Sequence, residues 1–132
     1  MSIVVDSSVW IDFFNGRSSP HVEFLDLHLD KEEIVVGDLI AVEVLQGFRY
    51  DKDVKAASKV FDLCSRVHLL NWEFAMSSTS NYRKLTTLGR RPRKTIDVII
   101  ATYCIERCHQ LLHSDRDFDD LEKYCGLECV KV

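Results

Sequence analysis

The sequence predicts an α/β fold in which a mostly parallel sheet carries helices on both faces. Three observations predict it. Short, continuous apolar runs of the kind that suit strands buried on both faces recur along the 132 residues. Amphipathic stretches of helical length separate them, and that alternation demands crossover connections and hence parallel pairing. The only two prolines, Pro20 and Pro92, fall at expected loops or helix starts, so none breaks an element internally.

Ile3-Val4-Val5 reads as the first strand. Helices from Ser8 to Phe14 and from His21 to Leu29 follow it. Ile34-Val35-Val36 is the second strand, followed by helices from Leu39 to Phe48 and from Val54 to Arg66. Val67-His68-Leu69-Leu70 reads as the third strand, and helices from Phe74 to Leu88 and from Ile96 to Cys108 lead to the fourth, Gln110-Leu111-Leu112-His113. A helix from Phe118 to Tyr124 and a more exposed strand, Glu128 to Val132, complete a sheet of four to five strands. Hydrophobic residues at 46% and charged residues at 29% suffice for a single core without a disordered tract.

Composition also narrows the function. No stretch approaches the roughly 20 apolar residues of a membrane span. The first residues lack a basic region and meet Asp6 at once, unlike a signal peptide. A soluble, cytoplasmic protein is expected. Five cysteines, an odd number, argue against a disulfide framework. The pairs Cys104/Cys108 and Cys125/Cys129 lack finger spacing, and the first lies in an apolar run, so buried thiols are expected rather than zinc. A net charge of −4 speaks against a broadly basic nucleic-acid surface. The objection weakens if several carboxylates share divalent cations.

In open parallel sheets, sites form beyond the carboxyl ends of the strands. Asp6 follows the first strand and Asp115 follows the fourth, each at a junction with a helix. Helix capping alone would explain either residue. Glu43 is harder to explain so, being the only charge in Leu39-Ile40-Ala41-Val42-Glu43-Val44-Leu45 and close to the core-facing stripe. An unpaired ion there costs several kcal/mol. Asp97 opens the apolar helix Ile96-Asp97-Val98-Ile99-Ile100-Ala101, where the helix dipole alone would favour it. The conjunction of all four points instead to a shared site of hard oxygen ligands, suited to Mg²⁺ or Mn²⁺.

These segments resemble the motifs of the PIN-domain nucleases, especially the VapC-type toxins of toxin–antitoxin pairs. Asp6-Ser7-Ser8-Val9-Trp10 is similar to the family's opening, and Glu43-Val44-Leu45-Gln46-Gly47 to its second acidic motif. Asp97-Val98-Ile99-Ile100-Ala101 resembles the third, and His113-Ser114-Asp115-Arg116-Asp117-Phe118 the fourth. The likeness implies one PIN domain over residues 1–132, folded as a three-layer α/β/α sandwich. It also implies an endoribonuclease using Mg²⁺ or Mn²⁺, a VapB-type antitoxin that blocks the site, and a homodimer. Asp6, Glu43, Asp97 and Asp115 match the four acids, with Asp6 and Asp97 expected as the main ligands, and Ser7 matches the neighbouring hydroxyl. His113 departs from the family's usual Thr or Ser, a hydroxyl that Ser114 would then supply. Asp117 is expected either to assist or to be an exposed first-turn acid.

RNA binding must use other residues. Arg90, Arg91, Arg93 and Lys94 form a basic run leading into the helix that carries Asp97, the charge a phosphate backbone requires. Trp10, Phe13, Phe14, Phe24 and Phe48 are expected mostly in the core, with an antitoxin groove as the alternative use of that region. An aspartyl-phosphate phosphohydrolase would need an acid where Ser8 stands. Ser-His-Asp hydrolysis would need a G-x-S-x-G elbow, which is absent, as is a Gly-rich phosphate loop. A catalytically silent RNA- or protein-binding module would be favoured by loss of an acid, and none is missing.

Overall fold

The computed structural model describes residues 2–31 and 33–132. Its strands are β1 (Ile3–Val5), β2 (Ile34–Gly37), β3 (Ser65–Val67) and β4 (Gln110–Leu112). Its helices are α1 (Ser7–Phe14), α2 (Pro20–His28), α3 (Asp38–Leu45), α4 (Asp51–Phe61), α5 (Trp72–Thr87), α6 (Thr95–Arg107) and α7 (Asp119–Cys125). A 3₁₀ turn, Arg116–Phe118, precedes α7.

All pairings are parallel, in the order β3-β2-β1-β4. Val4 lies opposite Val35 on one side and Leu111 on the other, so the most apolar strand is central. From β1 the chain builds the sheet one way through β2 and β3, then returns to add β4 on the opposite edge. Right-handed crossovers therefore place the two sets of helices on opposite faces. In keeping with this, α1 packs on α2 and α3, whereas α6 packs on α5 and α7. The reversal between β1 and β4 opens a crevice at the carboxyl ends of these strands.

The core runs through both layers and includes Val4, Val5, Trp10, Ile34, Ile40, Ile100, Leu111, Leu112 and Phe118. Trp10 is fully buried, stacked with Phe14 and edge-on to Phe13 and Phe61. Most of the aromatic concentration near the amino terminus thus serves packing, while Phe24 stacks on His28. No described helix is long and apolar enough to cross a membrane.

Four expectations need correction. The third strand is Ser65–Val67, not Val67 to Leu70. Its exposed Ser65 and Arg66 suit an edge, while buried Leu69 lies beyond the ladder and Leu70 is exposed. Helix α4 begins at Asp51, where Asp51 and Asp53 complement the helix dipole, and ends at Phe61 so that the chain can turn into β3. The segment 128–132 contributes only the single bridge Leu111↔Cys129. Cys108 is exposed, not buried, because it ends α6 in the left-handed conformation with φ 56°. Cys104 is buried, and all five cysteines are free.

Candidate active site

Asp6 leaves β1 and caps α1. The backbone N–H and hydroxyl of Ser8 both donate to Asp6 Oδ2, at 3.1 and 2.6 Å. Ser8 Oγ also accepts from the backbone N–H of Ser114 at 3.3 Å, tying the ends of β1 and β4 together across the crevice. Capping and site formation are therefore two uses of one aspartate. The motif in the sequence points to Ser7 and gives Ser8 no role, although a hydroxyl two residues after a capping acid is a common local partner for it.

Asp115 caps the 3₁₀ turn. Its Oδ1 accepts the Asp117 backbone N–H at 2.9 Å, and its Oδ2 accepts from Lys94 Nζ at 3.1 Å. Burial opposes ionisation, but the Asp117 N–H and the Lys94 ammonium outweigh it and hold the Asp115 carboxyl below its ordinary value. The backbone N–H of Asp115 in turn donates to His113 Nδ1 at 3.2 Å. That bond fixes the imidazole with its proton on Nε2, and burial holds His113 below its ordinary value. His113 thus orders the loop in place of the hydroxyl expected there, and Ser114 lies exposed, contributing its backbone N–H to Ser8.

Asp97 lies in the first turn of α6 and is 5% exposed. Burial pushes its carboxyl up to about 6, with Asp6 and Asp115 adding to the rise and Lys94 opposing it. Glu43 reaches in from α3. Burial and then the Asp6 carboxylate raise it above its ordinary value, while the Ser7 hydroxyl offsets part of the effect. Asp6 therefore acts electrostatically on both Glu43 and Asp97. One ligand atom each of Asp97, Asp115 and Asp117 falls within 4.8 Å of the others. Asp117 is more enclosed than an exposed first-turn acid, with its side chain 17% exposed.

This arrangement fits a divalent cation. Glu43 Oε1 and Asp97 Oδ2 are buried without a hydrogen-bond partner. A buried anionic oxygen left so is costly, and cation coordination removes the cost. Hard carboxylate oxygens from β1, α3, α6 and the loop after β4 are the donor set that such a cation prefers.

Asp38 tests the strand-end rule from the other side. It follows β2 directly, yet its carboxylate accepts from the backbone N–H groups of Leu39 and Leu69, at 2.8 and 3.0 Å, and meets His68 Nδ1 at 3.1 Å. It fastens the β3–α5 loop and, among the described residues, belongs to no acid cluster, because the crevice opens at β1 and β4.

The basic run divides. Lys94 turns onto the acids, and burial is outweighed by Asp115 and Asp97, which hold its ammonium above the ordinary value. Arg93 lies 3.8 Å from Asp117 Oδ1 and remains largely exposed. Arg91 Nε donates to the Tyr82 hydroxyl at 2.9 Å, and Arg90 covers the Tyr124 ring.

The fold and this acidic crevice define a class, and the chain belongs to it: the PIN domain family model matches residues 3–124. Within the family it is similar to Ribonuclease VapC11 of Mycobacterium tuberculosis, 25% identical over 97% of each chain. The fold is shared with the structure of VapBC2 from Rickettsia felis bound to a DNA fragment from their promoter, with a TM-score of 0.78, 12% identity and 98% coverage of each chain. It is shared also with Mycobacterium tuberculosis VapC20, described as a sarcin-ricin loop cleaving toxin, with a TM-score of 0.68, 16% identity, and coverage of 90% of this chain and 94% of that one.

Proposed function

We propose that this chain is an endoribonuclease dependent on Mg²⁺ or Mn²⁺, and the toxin of a toxin–antitoxin pair. The observation that carries the proposal is the grouping of Asp97, Asp115 and Asp117, with Asp6 acting on both Asp97 and Glu43 and with one buried oxygen each of Glu43 and Asp97 that makes no hydrogen bond among the described residues. Asp6 and Asp97 are the main ligands, with Glu43 and Asp115 completing the set. Asp117 stands close enough to Asp97 and Asp115 to join them. When bound, a divalent ion supplies Lewis acidity, lowering the pKa of a water ligand and neutralising charge that builds on the phosphate.

The protein's own share is positioning. Ser8 holds Asp6 and the β4 loop in register. Ser7 stabilises charged Glu43, and His113 fixes the backbone at Asp115. Arg90, Arg91, Arg93 and Lys94 supply the positive charge that aligns an RNA backbone beside the acids. The resemblance to VapC ribonucleases and the fold shared with VapBC structures support a VapB-type antitoxin as partner, and a homodimeric assembly is part of the proposal.

Cleavage of total RNA tests the reading. Discrete cuts are expected with Mg²⁺ or Mn²⁺, and none with EDTA. Outer partners of a metal site are worth about 10–100-fold, so Asp6→Asn or Asp97→Asn should cost at least about a hundredfold in rate. Intact RNA from folded, antitoxin-free protein at every metal concentration would point instead to a binding module.

A further inference from the structure

We infer that Lys94 is a built-in occupant of the cation site, an ammonium that holds the carboxylates together until a divalent ion displaces it. The inference rests on the metal-site reading above and adds a competitor carried by the chain itself. Lys94 precedes α6, and its side chain lies over the helix's first turn. Its Nζ stands 3.1 Å from Asp115 Oδ2, 3.4 Å from Asp97 Oδ2 and 3.7 Å from Asp117 Oδ2. These are the three acids whose ligand atoms already lie within 4.8 Å of one another. A compact ammonium can serve three converging carboxylates at once, whereas a planar guanidinium is shaped to pair with one. Neighbouring Arg93 accordingly reaches only Asp117, at 3.8 Å.

A separate observation shows that the ammonium fills this place incompletely. The Asp97 side chain retains only 7% exposure, yet its Oδ2 makes no hydrogen bond. Lys94 balances the charge of that oxygen without satisfying its coordination, and Glu43 Oε1 makes no hydrogen bond among the described residues. A multivalent ion can satisfy both. Lys94 also has a way out, since its side chain is 48% exposed. The displaced ammonium stays on the loop with Arg91 and Arg93, so metal loading moves positive charge from the acids towards the RNA side.

Competition of this kind weakens metal binding by the fraction of time the site is free. An ammonium in place about nine-tenths of the time lowers apparent affinity about tenfold. The test is calorimetric titration of Mn²⁺ at pH 8 into the wild-type protein and Lys94→Met, joined to ¹⁵N NMR of the wild-type lysine ammonium groups during Mg²⁺ addition. Lys94→Met should bind Mn²⁺ about tenfold more tightly and melt lower than wild type in EDTA. One ammonium signal, protected from exchange in metal-free wild type, should lose that protection as Mg²⁺ binds. Wild-type binding with equal or weaker affinity in the variant, or a lysine signal unmoved by Mg²⁺, overturns this inference and leaves the metal site standing. Binding by neither protein overturns both.

Discussion

Asp97 is where the demands of chemistry and of stability diverge. Its carboxyl is raised from 3.8 in an unstructured chain to about 6 in the fold, so the folded state holds the proton more tightly. Stability from this group is complete below about pH 4 and declines as pH rises through about 6. Asn mimics the protonated form at every pH. Metal-free Asp97→Asn should therefore match wild type near pH 4 and exceed it by about 3 kcal/mol at pH 8. Urea melts in EDTA across that range would measure the gap, and a variant less stable than wild type at pH 8 would refute the account. Saturating Mn²⁺ should reverse the order, because only wild type keeps the ligand. At this scale the acids are legible because a lone charge in an apolar run is conspicuous, as with Glu43 and Asp97. Ser8 and the inward turn of Lys94 are not. A serine beside serine and a lysine in a basic run carry no local signal, and only the approach of the β4 loop gives them partners.

Among the elements, α6 carries a misfit at its end. Cys108 adopts φ 56°, while its N–H and that of His109 close the helix on Ile105 and Cys104. A left-handed residue with a side chain costs roughly 1–2 kcal/mol, a cost that glycine avoids. Cys108→Gly should raise the denaturation midpoint by about 1 kcal/mol equivalent after allowing for glycine's greater unfolded entropy. The junction of β2 and α3 predicts the opposite outcome. A Cβ on Gly37 would overlap the buried Leu69 side chain, so Gly37→Ala should destabilise by about 1–3 kcal/mol in the same assay. The strands β1, β2 and β4 are readable because burial on both faces leaves an unbroken apolar run. Edge strand β3 escapes that signal because polar Ser65 and Arg66 pair there, while the more apolar residues beyond them fill space over Gly37. Helix ends shift for a similar reason, since the turn into the next strand decides them and periodicity does not.

For the molecule as a whole, the proposed function asks a chain of net charge −4 to bind a polyanion, and the loop carrying Arg90, Arg91 and Arg93 is the proposed place for it. Replacing Arg91 and Arg93 together by Gln should weaken RNA binding and reduce the slope of log affinity against log salt by about 1 for each phosphate no longer neutralised. Filter binding to an uncleaved RNA, using Asp97→Asn to prevent turnover, would show it, and an unchanged slope would remove the loop from the interface. The parallel, two-faced sheet is predictable from the alternation of elements. The strand order that decides which acids meet is not, because periodicity records burial and carries no address for a neighbour. That order has a consequence for the chain as it is made. Synthesis runs from the amino terminus, yet β1 gains β4 as its second neighbour only at residues 110–112. Until then one edge of the central strand lies open and Asp6 has no partner from beyond β4. If the proposed function holds, the nascent chain therefore lacks Asp115 and an assembled metal site for most of its synthesis, and for that same interval the unpaired β1 edge is open to pairing with another chain.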